Sequence, residues 1–547
     1  MERSPVWATM VGDHRFDDRL PVVTPESEAA DADARRDFLD RARALDPDAL
    51  APSDRLTLGL FIHRLTAEVE REVCAEWQWN VSPRGNPLVR AGYLPELHPL
   101  ESEADGERFL ARLGALPRAL DEQAANLRTG LEAGRVANRT SAILTVEMVR
   151  AQLERPDEEW PLLELTGEAE WIEALRPEVK TLLAEEIRPA FERWVDVLEE
   201  DVVPAGREGA AVGLGGLPEG AACYEALVGH YTTLDVTAQE LHDTGLTDLE
   251  RIHAEMQDLG EALFDTRDLG EIFDRLRHSD DLYFETEAEV EQKAVEAVDA
   301  AREAMGAAFG RLPRAEVIVR PVPAHEAPYT TIAYYRRPAP DGARPGEYYV
   351  NTYAPETRPR YEAEVLAFHE AIPGHHLQIA IAQELPDNPG FRRHGGVTAF
   401  VEGWALYTER LSDELGLYSG DLDRMGMLSF DTWRAARLVV DTGIHSLGWT
   451  RAEAEDFLRE NTPLADNNIV NEVDRYITMP GQALAYKAGQ LEILALRAEA
   501  EEALGDAFEL SAFHDVVLGA GALPLPVLRE RVEIWVEAVA SGAPGAG

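Results

Sequence analysis

Lysine, cysteine and long apolar runs are what this sequence has least of. Lys180, Lys293 and Lys487 are the only lysines in 547 residues, against 101 Asp plus Glu, and the formal net charge is −49. So acidic a chain is repelled by nucleic acid and by anionic membrane surfaces, which excludes both as expected partners. The composition suits an acidic, solvated surface and leaves a salt-adapted host open. Cys74 and Cys223 are the only cysteines, so neither a disulfide framework nor a thiolate zinc site is expected, and folding should not depend on oxidation. No apolar run approaches the roughly 20 residues that span a bilayer. The opening MERSPVWATMVGDHRF has neither a basic n-region nor an apolar h-region, so the expectation is a cytoplasmic protein.

Apolar periodicity is overwhelmingly helical. Amphipathic stretches run over 53–76, 105–132, 135–155, 167–200 and 285–308, with breaks at SPRGNPLVRAGYLPELHP and VGLGGLPEG. No anchor pattern recurs at 20 to 50 residues, which argues against a solenoid. The segment 215–245 mixes loop and helix and carries Tyr224, His230, Tyr231 and His242, as packing residues or as the wall of a substrate channel. Between 315 and 354 the period shortens: AEVIVRPVP, TTIAYYRRP and EYYVNTY are short and rich in β-branched and aromatic residues, and PAPDGARPG separates the last two. These predict a small antiparallel sheet. Helices resume over 361–384, 396–417, 421–447, 450–461, 465–476, 480–504 and 522–540. The fold class expected is mainly α, with an N-terminal helical half, 1–312, and a catalytic half, 313–547, about a central cleft.

The densest chemistry is HEAIPGHH, from His369 to His376. It begins like HExxH, in which two histidines one helical turn apart hold zinc and the glutamate activates water. Proline stands where the second histidine belongs. On an ideal helix His369 and His375 lie about 240° apart, and His376 returns to the face of His369 only about 10 Å further along. An undistorted helix therefore makes no chelate. Pro373 lacks the helical N–H and Gly374 tolerates unusual dihedrals, so the pair reads as an insertion that breaks the turn and swings His375 back. His376 is then expected beside the metal site or facing substrate.

Together with FVEGWALYTE (400–409), RAARLVVDTGIHSLGW (434–449) and RYITMPGQALAYKAGQ (475–490), this run resembles the domain-of-unknown-function 885 family, which is similar to gluzincin-type zinc metallopeptidases. The resemblance extends from GDHRFDDRL onward. It implies a helical, metallopeptidase-like body holding one Zn²⁺ per chain on His369, His375 and Glu402, the glutamate of its EGWA motif, with Glu409 beyond the ligands. It also implies that Tyr349-Val350-Asn351-Thr352 is an edge strand that binds extended peptide, a structural hairpin being the alternative. Tyr486 would stabilise an oxyanion or pack in the core, and Arg475 or Lys487 would hold a substrate carboxylate.

Arg434, Arg437, Asp441 and His445 follow i, i+3, i+7, i+11 spacing and form one polar stripe. Either it is an internal ion-pair network, or Asp441 orients a ligand histidine while Arg437 and His445 serve substrate. The function expected is zinc-dependent hydrolysis of peptide or related amide bonds with Glu370 as base. The alternative is a metal- or peptide-binding protein without turnover. Exo- or endopeptidase mode and oligomeric state are left open.

Overall fold

The computed structural model of the protein describes residues 1–542 apart from 168, 324–326, 328–331, 340–341 and 343. The chain is mainly helical, and the described residues form one three-stranded sheet. It divides into two compact units, one of Met1–Asp46, Ile62–Tyr224 and Ile444–Arg451, the other of Pro47–Phe61, Glu225–Gly443 and Ala452–Gly547. The main change of unit falls near residue 224, not 312. Phe309 shows why: its ring stacks on His514 at 4.6 Å and meets Trp404 at 6.1 Å, so the helix before it belongs with the later ones.

The first unit is built from amphipathic helices such as Leu116–Glu132 and Arg188–Val197. Their apolar faces, including Leu120, Phe191 and Trp194, are buried in one core with Trp160. In this unit Cys74 and Cys223 form a disulfide, with Cα atoms 4.8 Å apart. That corrects the expectation of a chain without disulfides. A separation of 149 residues leaves no local spacing signal, and a bridge closing so long a loop is worth about 4–5 kcal/mol by loss of unfolded-chain entropy.

In the second unit α1 (Ala238–Phe264) and α2 (Glu287–Ala308) each start at a threonine whose hydroxyl and N3 glutamate cap one another, Thr237 with Glu240 and Thr286 with Glu289. The sheet follows as β1 (Val317–Pro321), β2 (Ala333–Arg336) and β3 (Gly346–Val350), in the order β1-β3-β2. β3 pairs parallel with β1 and antiparallel with β2. The sheet is therefore mixed, not antiparallel, and Tyr349 and Val350 lie on the central strand, not an edge. The reason is burial: β3 is covered along nearly its whole length, while β1 opens to solvent after its first residue. Thr330 and Thr331 of the second expected strand, and Pro340, Asp341 and Ala343 of the loop after it, lie outside the described residues.

Beyond the sheet come α3 (Ala363–Glu370), α4 (His375–Gln383), α5 (Thr398–Glu414), α6 (Asp421–His445), α7 (Asp466–Thr478) and α8 (Leu484–Leu504). α5 and α8 cross where both present glycine. A Cβ on Gly489 would stand 2.8 Å from the Gly403 Cα and 2.9 Å from the Ala399 carbonyl carbon, so only glycine lets these backbones meet. No helix among the described residues is long and apolar enough to cross a membrane.

Candidate metal centre

The helix expected over 361–384 is two helices. α3 ends at Glu370 and α4 begins at His375. Between them the Ile372–Pro373 peptide is cis, and the hydrogen bonds widen: Gly374 N donates to Phe368 O at 2.9 Å and His376 N to Ala371 O at 3.0 Å. The looped-out residues are Pro373, which has no N–H to give, and Gly374, where a Cβ would strike the carbonyl oxygens of Phe368 and His369. Trp404 of α5 holds the loop from outside, its Nε1 donating to Pro373 O at 3.0 Å. The consequence is that the rings of His369 and His375 come to 4.7 Å, nearly perpendicular at 81°.

Glu402, from the first half of α5, completes a cluster. One ligand atom from each of His369, His375 and Glu402 lies within 4.8 Å of the others. Glu402 Oε2 is 3.7 Å from His369 Nε2 and 3.5 Å from His375 Nε2. Those separations are too long for good hydrogen bonds. The shorter one is at the upper end of the roughly 3.3–3.5 Å edge of a tetrahedron with metal–ligand bonds of about 2.0–2.1 Å, and the longer one lies just beyond it. The donor set, two imidazoles and a carboxylate, suits zinc.

Glu409, two turns along the same face of α5, accepts from His369 Nδ1 at 2.7 Å. That bond engages Nδ1 and turns Nε2 toward Glu402. Burial alone pushes the His369 imidazole down, but the carboxylates of Glu402 and Glu409 override it and raise it to about 10. Burial likewise opposes ionisation of Glu402, yet the two imidazoles hold its carboxyl well below the usual range.

Glu370 has no hydrogen-bond or ion-pair partner among the described residues, although its charge acts on His369 and on Tyr348. Tyr348 of β3 is fully buried, and its hydroxyl has no hydrogen-bond partner among the described residues. Burial first, and the Glu370 charge second, push that phenol well above its usual range. Tyr348 is not among the residues the sequence singles out, because the expected edge strand begins at Tyr349. With β3 central, the residue before Tyr349 faces inward instead.

Several other expected site residues are committed elsewhere. His376 is buried, with Nε2 on Ala315 O at 3.0 Å and Nδ1 on the Tyr335 hydroxyl at 2.9 Å, and burial pushes it down to about 4. It ties Tyr335 of β2 and the segment before β1 to α4, and both ring nitrogens are used in doing so. Asn351 is buried, donating to Ala327 O at 2.8 Å, and Tyr349 stacks on Tyr334 at 4.8 Å. Neither lies on a free edge. Asp441 accepts from Gly481 N at 3.0 Å and so fixes the turn into α8, while Glu409 takes the position on a ligand histidine once expected of Asp441. His445 falls in the first unit, where Nδ1 accepts from Leu214 N at 3.1 Å and its ring lies 5.3 Å from Tyr224. His242 pairs with Thr442 Oγ1 at 2.9 Å, and His230 packs on Tyr231 at 4.8 Å.

Lys487 is also withdrawn from substrate. It is fully buried, its Nζ paired with Asp431, with Asp248 Oδ2 at 2.8 Å and with Gln490 Oε1 at 2.7 Å. Lys487→Met keeps the volume but leaves Asp431 to Arg410 and Asp248 to Arg251, so it is expected to cost about 1–3 kcal/mol in denaturant unfolding. Unchanged stability would contradict the network. Arg437 donates to Glu472 Oε2 at 3.0 Å and to the Tyr476 hydroxyl at 3.2 Å. Arg475 donates to the Tyr486 hydroxyl at 3.0 Å.

Fold and site together define a mainly helical protein with a buried His/His/Glu cluster on a broken helix. Residues 5–532 match the family described as bacterial protein of unknown function (DUF885), and the chain belongs to it. It is similar to a solved "putative lipoprotein" of Colwellia psychrerythraea, with 25% identity and a TM-score of 0.91 over 98% of this chain and 96% of that one. It shares the fold of a second, a "putative lipoprotein of unknown function" from Shewanella oneidensis, with 19% identity and a TM-score of 0.75 over 97% and 96%. No curated protein matches. The cytoplasmic expectation is corrected by these relatives, both described as lipoproteins.

Proposed function

We propose that the protein is a zinc-dependent hydrolase of peptide or related amide bonds, of the gluzincin type. What carries the reading is the meeting of His369 Nε2 and His375 Nε2 on one oxygen of Glu402 at 3.5–3.7 Å, too long for good hydrogen bonds and close to tetrahedral spacing. His369, His375 and Glu402 would hold one Zn²⁺, which when bound supplies polarisation of water and of the scissile carbonyl. The chain's own residues do the rest. Glu409 keeps His369 oriented through Nδ1. Glu370, adjacent in sequence to a ligand and not itself paired, takes the proton of the attacking water and passes it to the leaving amine. Tyr486, steadied by Arg475, is the donor assigned to the developing oxyanion.

The Cys74–Cys223 bridge supports residence in an oxidising compartment, as does the description of the solved relatives as lipoproteins. The decisive measurement is elemental analysis of protein purified without chelator. One zinc per chain is expected, and a metal-free, peptide-hydrolysing protein would overturn the assignment.

A further inference from the structure

Arg434 and Arg437, one turn apart on α6, are both more than nine-tenths buried. The Arg434 guanidinium carbon lies over both Phe430 and Trp433, 4.2 and 4.0 Å from their ring centres, and its Nε and Nη1 have no hydrogen-bond partner among the described residues. The Arg437 guanidinium carbon lies over Trp433 and Tyr486, 4.3 Å from each ring centre, and its Nη1 is likewise unbonded among the described residues. Arg475 of α7 reaches the same Tyr486 from its hydroxyl side.

Among the described residues one carboxylate makes direct ion pairs with this trio. Glu472 Oε2 lies 3.0 Å from Arg437 and 3.3 Å from Arg475. Glu409 acts on Arg434 only beyond ion-pair distance; its Oε1 is bonded to His369, and its Oε2 has no hydrogen-bond partner among the described residues. Glu362, at the start of α3, is likewise engaged, by Ser429 Oγ at 2.9 Å. Stacking on aromatic faces leaves the in-plane N–H groups of a guanidinium available, and buried cationic donors without acceptors are costly. The missing partner is therefore an anion with paired oxygens, which guanidinium forks fit.

We infer that Arg434 and Arg437, with Arg475 behind them, bind the α-carboxylate of the peptide whose bond is cleaved at the His369–His375–Glu402 cluster. The link between the two places is Tyr486, which lies 4.3 Å from the Arg437 guanidinium carbon and is the donor assigned above to the oxyanion. This inference rests on the peptidase reading and narrows it: the substrates are short peptides with a free C-terminus.

The test separates the two. The full chain is treated with chelator, so that neither zinc nor turnover enters, and equilibrium dialysis measures retention of neutral tripeptides as an equimolar pool. The pool is offered once with free α-carboxylates and once as α-amides. The acids should bind at least about 100-fold more tightly, the factor two charge-assisted hydrogen bonds supply. Arg434→Gln and Arg437→Gln, checked for intact thermal unfolding, should each erase most of that factor. If those variants do not fold, the acid–amide contrast in the wild type decides alone. Equal retention of acids and amides, retention of neither, or folded variants that keep the preference would overturn the inference. Zinc content and hydrolysis, measured separately on untreated protein, would still report on the peptidase reading.

Discussion

Glu370→Gln is expected to keep the metal bound while hydrolysis falls by about 10²–10⁴-fold, the usual contribution of a positioned general base. Glutamine keeps the shape and hydrogen-bonding reach of glutamate but cannot take a proton at neutral pH. Glu370 is outside the His369–His375–Glu402 cluster, so removing its charge leaves every proposed ligand in place. It is also free of the commitments that disqualify its neighbours. Glu402 faces two imidazoles, Glu409 is spent on His369, and Glu364 is paired with Lys293 at 2.6 Å. Zinc content and peptide hydrolysis measured on the same preparation check the expectation. A variant that loses its zinc would make Glu370 a ligand, and one that hydrolyses peptides at the wild-type rate would remove it as the base.

Much of the local structure was legible because it depends on neighbours in sequence. Pro373-Gly374 forbids a regular helix whatever surrounds it, so the break between α3 and α4 could be read directly, as could the shared face of Glu402 and Glu409. What failed depends on partners far away. β3 takes the middle of the sheet because β1 joins it in parallel, and nothing in EYYVNTY announces a second neighbour. Lys487 has the composition of a substrate-binding residue, yet its assignment turns on Asp248 and Asp431, which come from other helices. The disulfide is the extreme case, two cysteines 149 residues apart that only tertiary folding brings together. The stripe of Arg434, Arg437, Asp441 and His445 was real as a helical face but not as one functional unit. Asp441 caps the turn before α8, and His445 belongs to the first unit.

His375→Ala should abolish stable metal binding, whereas His376→Ala should keep it, although the two residues are adjacent. The difference follows from where α4 starts. His375, its first residue, turns its ring to 4.7 Å from His369 and points Nε2 at Glu402. Removing it leaves one imidazole and one carboxylate, too few ligands for a hydrolytic zinc site. His376, the next residue, points about 100° away, and both of its ring nitrogens are bonded to the sheet side, at Ala315 O and the Tyr335 hydroxyl. Its loss strands a buried hydroxyl and a carbonyl at a cost of about 1–3 kcal/mol each way in stability, with no ligand removed. Zinc per chain after gel filtration, read alongside the unfolding midpoint, separates the effects: His375→Ala loses zinc, and His376→Ala loses stability but retains zinc. If zinc instead stays with His375→Ala and leaves with His376→Ala, the assignment of the second imidazole is wrong and the metal must draw α4 into a different register.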